Sequence, residues 1–114
     1  MEPTAADTMV VLITVPEGTE GGRIGRTLVE EHLAACVNIV SGVRSVFRWE
    51  GKVSEEAEAL LIVKTTRDRY SALESRVKAI HPYSLPEIIA LPITAGLPGY
   101  LEWVATETRP AARA

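Results

Sequence analysis

The chain has 114 residues, 46% hydrophobic and 24% charged, which supports one modest core and leaves no room for a second domain. Its net charge is −3, with 12 basic and 15 acidic residues mixed along the chain, so the basic footprint of a nucleic-acid-binding or membrane-surface protein is absent. A single cysteine cannot form an internal disulfide, and neither a signal pattern nor an apolar run of about 20 residues is present. We therefore expect a cytoplasmic protein that does not span a membrane.

Strand and helix patterns alternate along the chain. Apolar or period-two stretches predict strands, and apolar residues at spacings of three and four predict helices. In chain order these are a strand over residues 9–15, a helix over 20–33, strands over 36–49 and 52–65, a helix over 67–80, a strand over 87–93 and a short helix from Pro98. The order predicts an α+β fold, a ferredoxin-like split βαβ sandwich with both main helices on one face of an antiparallel sheet. We expect a single domain over residues 9–108, with flexible tails at 1–8 and 109–114.

The two middle strands form a long hairpin around the turn signal Glu50-Gly51. A strand of about 14 residues reaches roughly 45 Å, whereas a helix of the same length covers about 21 Å. The hairpin should therefore overhang its own helices and carry apolar side chains that another subunit covers. The alternative is that the strands bend at Gly42 and fold back over their own core.

Three stretches resemble the CutA family of divalent-cation tolerance proteins. They are LAACVNI at residues 33–39, VFRWEGK at residues 46–52 and HPYSLPE at residues 81–87, which runs into IIALPI at residues 88–93. The resemblance implies a PII-like homotrimer that binds copper or another divalent metal ion and is not an enzyme. One departure from the family is visible: the family commonly has an acidic residue where this chain has Ser84. The resemblance therefore does not assign a metal-binding role to this position.

Three residues are the candidate metal ligands. His81 lies at the predicted end of a helix, and Glu87 follows it closely, so imidazole and carboxylate could share a divalent site. Cys36 supplies the softest donor and would suit copper(I) or zinc. Each has a structural alternative: a helix cap for His81, and a small buried apolar residue for Cys36. His32 is interpreted as a solvent-facing residue without ligands nearby.

Two further function classes stay open at this stage. A PII-like signalling or interaction module would bind a small anion or a protein partner at clefts between subunits, and metal binding would then be incidental. An enzyme acting on a phosphorylated substrate is disfavoured, because no acid, base or nucleophile is arranged for catalysis and the glycine-rich segment before residue 25 fails both the dinucleotide and the P-loop pattern.

Overall fold

The computed structural model describes residues 5–110 and confirms the α+β fold. Its elements are β1 (Thr8–Pro16), α1 (Glu20–Glu30), β2 (Cys36–Trp49), β3 (Lys52–Thr66), α2 (Tyr70–Ile80), β4 (Ile88–Pro92) and α3 (Pro98–Glu107), with short 3-10 turns at Ala5–Asp7 and Arg67–Arg69. Most of the predicted tails, residues 1–4 and 111–114, lie outside the described residues. Thr8 was assigned to a flexible tail, but it is the first residue of β1 and is fully buried, so the folded part begins earlier than predicted.

The four strands form one antiparallel sheet in the order β2-β3-β1-β4. Alternation along β1 turns Val11, Ile13 and Val15 toward one face, where they are fully buried. The main core lies there, between the sheet and the apolar sides of α1 and α2, and includes Ile24, Leu28, Leu61, Val63, Leu73 and Val77. Both main helices therefore cover the same face, as the split βαβ order predicts.

Helix α1 ends at Glu30, three residues before the predicted end, because His32 adopts a left-handed conformation with φ of 60°. The amide of His32 donates to Val29 O at 3.1 Å, and that of Leu33 donates to Leu28 O at 2.9 Å. This is the Schellman pattern of a helix end, with histidine in the position that glycine usually occupies. His32 is thus a helix terminator, and its Nδ1 lies 3.1 Å from Glu107 O at the end of α3.

The other face of the sheet, which we call the open face, is only partly covered. In one row across it, Leu12 of β1 lies between Ile62 of β3 and Ile89 of β4. Ile89 is 48% exposed, while Leu12 and Ile62 are half-buried. No described element buries this apolar row completely.

The β2–β3 hairpin extends beyond the rest of the sheet. Strand β1 pairs with β3 only as far as Glu58, so residues 44–57 project past it, and the longest dimension of the molecule is 49 Å. A shift in register between Val40 and Val43, with Gly42 at φ of 78°, forms a β-bulge in β2. The projecting apolar side chains remain exposed: Val46, Phe47, Trp49 and Val53. The strands therefore do not fold back over their own core.

Candidate functional site

His81 is a buried residue whose two ring nitrogens are both occupied. It caps the C-terminus of α2 with an extended backbone, because Pro82 follows it and disfavours the helical conformation. Its Nε2 lies 2.8 Å from Thr14 O, and its Nδ1 accepts the Tyr83 amide at 3.0 Å. Since a carbonyl only accepts and an amide only donates, these contacts define a neutral ring with its proton on Nε2.

Glu87 reaches the same strand residue from the other end of the loop. The Thr14 hydroxyl donates to Glu87 Oε1 at 3.5 Å, in an exposed position. The structure therefore brings His81 and Glu87 to one residue of β1. They meet it through different groups, the backbone carbonyl for His81 and the side chain for Glu87.

Cys36 lies apart from these two residues. It begins β2, is half-buried with a free thiol, and pairs with Lys64, which in turn pairs with Val10 of β1. Thr14 is four residues further along β1, which corresponds to about 13 Å along the strand. The neighbour of Cys36 is Tyr100 of α3, whose pKa is raised by burial and by contact with this thiol. One chain does not combine Cys36 with His81 in a single site.

Among residues 5–110, no group of three or more histidine, cysteine, aspartate or glutamate side chains could hold a metal ion. The most common protein metal sites need three or four such donors. Residues 5–110 of a single copy therefore do not supply a complete divalent-metal site. A site of that kind would need ligands from another copy.

Tyr83 and Glu58 form a contact that the sequence analysis did not identify. The Tyr83 hydroxyl donates to Glu58 Oε2 at 2.7 Å, and Glu58 is only 5% exposed. The Tyr83 ring also packs on His81, with ring centroids 4.8 Å apart. Burial raises the pKa of Tyr83 to about 12, with further contributions from the Glu58 hydrogen bond and the charges of Glu58 and Glu56. In the sequence, the only signal for this contact was the position of Glu58 between two alanines in a strand pattern.

A concavity of about 660 Å³ adjoins Tyr83. It lies between the projecting part of the hairpin and the loop that joins α2 to β4, and we call it the aromatic concavity. Its lining residues are Pro16, Phe47, Trp49, Glu56, Ala57, Pro82, Tyr83, Ser84 and Leu85. Ser84 is thus an exposed part of this wall.

Comparisons with known proteins agree on one family. The family model described as "CutA1 divalent ion tolerance protein" matches residues 9–107. A divalent-cation tolerance protein CutA of Thermus thermophilus is 54% identical over 99 residues, which cover 87% of this chain and 96% of that protein. A chloroplastic CutA 1 of rice is 50% identical over 106 residues, which cover 93% of this chain and 60% of the longer rice protein.

Solved structures give the same result. The divalent cation tolerance protein of Thermus thermophilus superposes with a TM-score of 0.87 at 53% identity, covering 90% of this chain and 99% of that one. The apo form of a protein from Nostoc described as "PII-like protein CutA" superposes with a TM-score of 0.84 at 37% identity, with the same coverage. A structure from Archaeoglobus fulgidus is described as periplasmic, so these relatives do not share one compartment. Within residues 5–110, no helix has the length and apolar character needed to cross a membrane.

Proposed function

The chain belongs to the CutA1 family of divalent ion tolerance proteins, and on that premise we propose that it is a non-enzymatic homotrimer that binds a divalent metal ion, copper first among them. We propose that the chain forms a single domain, expected over residues 9–108 and beginning with the buried Thr8, since the family match spans residues 9–107. The observation that carries the proposal is the apolar surface that one chain leaves exposed.

Two exposed apolar regions support self-association. The open face presents a row centred on Leu12, and the projecting hairpin presents Phe47 and Trp49, which are 39% and 47% exposed. Strand β2 is also an edge strand of 14 residues, whose backbone groups on the outer side have no partner strand in one chain. Long apolar edges of this kind are normally covered in the folded, functional state. Copies of the same chain would cover both regions.

The proposed metal ligands are His81, Glu87 and Cys36. Because the described part of one chain brings no three such donors together, the proposed site would form between copies of the chain. His81 could coordinate only by giving up its contact with Thr14 or with the Tyr83 amide, since both nitrogens are engaged. Glu87 is exposed and accepts one long hydrogen bond, from the Thr14 hydroxyl, while the Cys36 thiol contacts Tyr100, so these two residues have fewer contacts to give up than His81.

Isothermal titration with Cu²⁺ and Zn²⁺ tests the metal proposal on the wild type and on Cys36→Ala, Glu87→Gln and His81→Ala. We expect at least one variant to weaken binding about tenfold or more, which is the loss of one good ligand. His32→Ala is the matched control, because His32 ends a helix and is not a proposed ligand. Wild-type binding weaker than millimolar, or equal binding by all variants, would contradict the proposal.

Native mass spectrometry tests the assembly separately from the metal. We expect the mass of three chains, with or without added ion. A monomer at micromolar concentration would contradict the trimer, whereas the metal proposal would still depend on the titration.

Cell fractionation tests the further proposal of a cytoplasmic location, which the free thiol of Cys36 supports.

The second candidate function is a PII-like module that binds a small anion or a protein partner at clefts between subunits. The similar Nostoc structure bears the description PII-like, and the aromatic concavity offers this chain a recess for a ligand. A thermal-shift screen with nucleotides and small anions distinguishes the two functions. Stabilisation by an anion in the presence of a metal chelator would favour the module, because bound metal cannot then explain the shift.

A further inference from the structure

The β2–β3 hairpin leaves the sheet at one row of paired residues. Pro16 ends β1 and pairs with Glu58 of β3, which in turn pairs with Val43 of β2. Among residues 5–110, only β2 and β3 continue beyond this row. A ribbon of two strands twists more strongly than a wider sheet and is weakly stable by itself. Strand pairing alone therefore does not fix the direction in which the ribbon projects.

Two side-chain contacts hold the base of this ribbon. Gly42, in the bulge of β2, donates its amide to Glu17 Oε1 at 2.9 Å. Glu17 is the first residue after β1, and β3 lies between β1 and β2, so this contact spans an intervening strand. On β3, the buried Glu58 accepts the Tyr83 hydroxyl at 2.7 Å. Each strand of the ribbon is thus tied at its base to a loop outside the hairpin.

The bulge at Gly42 is the place where β2 changes direction. A bulge bends its strand and increases the local twist, and Gly42 has a left-handed φ of 78°. From Gly42 to Trp49, at the end of β2, the strand runs for roughly 23 Å. A rotation of about 10° at the bulge would move the tip by about 4 Å, which is enough to misplace side chains that must pack closely. The contact that holds the bulge therefore controls where the tip lies.

We propose that Glu17 is a positioning residue for assembly. By holding the Gly42 amide, its carboxylate sets the direction of the projecting hairpin and brings Phe47 and Trp49 against the neighbouring copy. A hydrogen bond to an ionised carboxylate is stronger than one to a neutral acceptor, so it limits the orientations that the hairpin adopts before copies meet. This role of Glu17 rests on the proposed homotrimer, while the contact itself lies inside one chain.

Nuclear magnetic resonance of the wild type, Glu17→Ala and Glu17→Gln tests the contact within each chain. We expect Glu17→Ala to speed hydrogen exchange of the Gly42 amide about tenfold and to change the residual dipolar couplings of residues 44–57 relative to β1. Glu17→Gln should restore both, because its carboxamide oxygen still accepts the amide. Glu30→Ala, which removes an exposed carboxylate from α1, is the control. Unchanged dipolar couplings in Glu17→Ala overturn the proposal, even if exchange at Gly42 increases.

Subunit exchange measures the consequence for assembly. Isotope-labelled and unlabelled copies of each variant are mixed at a temperature where the wild type exchanges over hours, and native mass spectrometry follows the mixed trimers. We expect Glu17→Ala to exchange about threefold faster or more, and Glu17→Gln and Glu30→Ala to match the wild type. A wild type without trimers would contradict the proposed function and this role of Glu17 with it. Intact trimers with equal exchange rates for the wild type and Glu17→Ala would overturn the role of Glu17 alone.

Discussion

At the scale of single residues, His81 joins three parts of the chain. Its ring reaches a β1 carbonyl just beyond Ile13, where the pairing of β4 with β1 ends, and it also holds the amide of the following loop. The ring therefore gives the Thr14 carbonyl a hydrogen-bond partner at a position of β1 that β4 does not reach. The structure gives His81 a structural role in each chain, whatever its role toward a metal.

His81→Ala is expected to lower the free energy of unfolding by about 2 to 3 kcal/mol, because it leaves the Thr14 carbonyl and the Tyr83 amide without their partner. Urea unfolding followed by circular dichroism measures the change. Ser84→Ala is the control, since this exposed side chain is expected to change stability by less than about 0.5 kcal/mol. Equal stability of wild type and His81→Ala would show that water replaces both contacts.

The raised pKa of Tyr83 predicts that the folded protein loses stability in alkaline solution. Its pKa is about 12 in the folded protein, against 10.0 for an ordinary tyrosine. The unfolded chain therefore loses this proton at lower pH than the folded chain does. The stabilisation is complete below pH 10.0 and is lost as the pH rises toward about 12.

Ultraviolet titration of tyrosinate checks this expectation. The wild type should show late-titrating tyrosines, and Tyr83→Phe should remove one of them and reduce the alkaline loss of stability. Tyr70→Phe is a useful comparison, because burial and Glu74 also raise the pKa of Tyr70 to about 12 at a different place. Normal titration of both tyrosines would contradict the described contacts.

At the scale of elements, α1 packs closely on the sheet because it carries glycine on its inner side. A Cβ atom at Gly25 would lie 3.2 Å from Val37 Cγ1, and one at Gly21 would lie 3.2 Å from side-chain atoms of Ile39 and Leu61. Gly22, on the exposed side, has no such neighbour within 4 Å. The glycine-rich segment therefore serves helix packing, with no sign of a phosphate-binding loop.

Gly25→Leu is expected to destabilise the protein by about 2 kcal/mol or more, because the added side chain must displace β2. Gly22→Ala is the matched control and should stabilise it by about 0.5 to 1 kcal/mol, through better helix propensity without a clash. Thermal and urea unfolding of both variants measure the difference. Equal effects would mean that α1 does not pack as closely as described.

At the scale of the whole molecule, the sheet has one covered and one open face. The helices α1 and α2 cover the first, whereas the row through Leu12 and Ile89 remains accessible on the second. An assembly through the open face would bury this row and bring the projecting hairpins against neighbouring copies. The position of Ile89 makes it a sensitive probe of such an interface.

Ile89→Glu is expected to dissociate the proposed trimer into monomers, because it places a charge in an apolar row that the assembly would bury. Native mass spectrometry at several concentrations measures the shift. Val29→Glu introduces the same charge at a position of α1 that is 40% exposed, and it should leave the trimer intact. An intact trimer in Ile89→Glu, or dissociation in Val29→Glu, would place the interface elsewhere.

The family and the order of strands and helices follow from the amino-acid sequence alone. Period-two patterns mark strands with one buried face, as along β1, and these patterns are local. Strand lengths read from the sequence also predicted the overhang of the hairpin. They did not predict the end of α1, because left-handed histidine at a helix terminus is uncommon.

The arrangement of the candidate site, by contrast, depends on contacts between residues that are far apart in the sequence. His81 and Thr14 are 67 positions apart, and Tyr83 and Glu58 are 25 apart, so no spacing in the sequence specifies either contact. The same holds for the separation of Cys36 from His81, which depends on strand register. Register is fixed by the pairing and packing of whole elements, so it becomes visible only when the chain is folded.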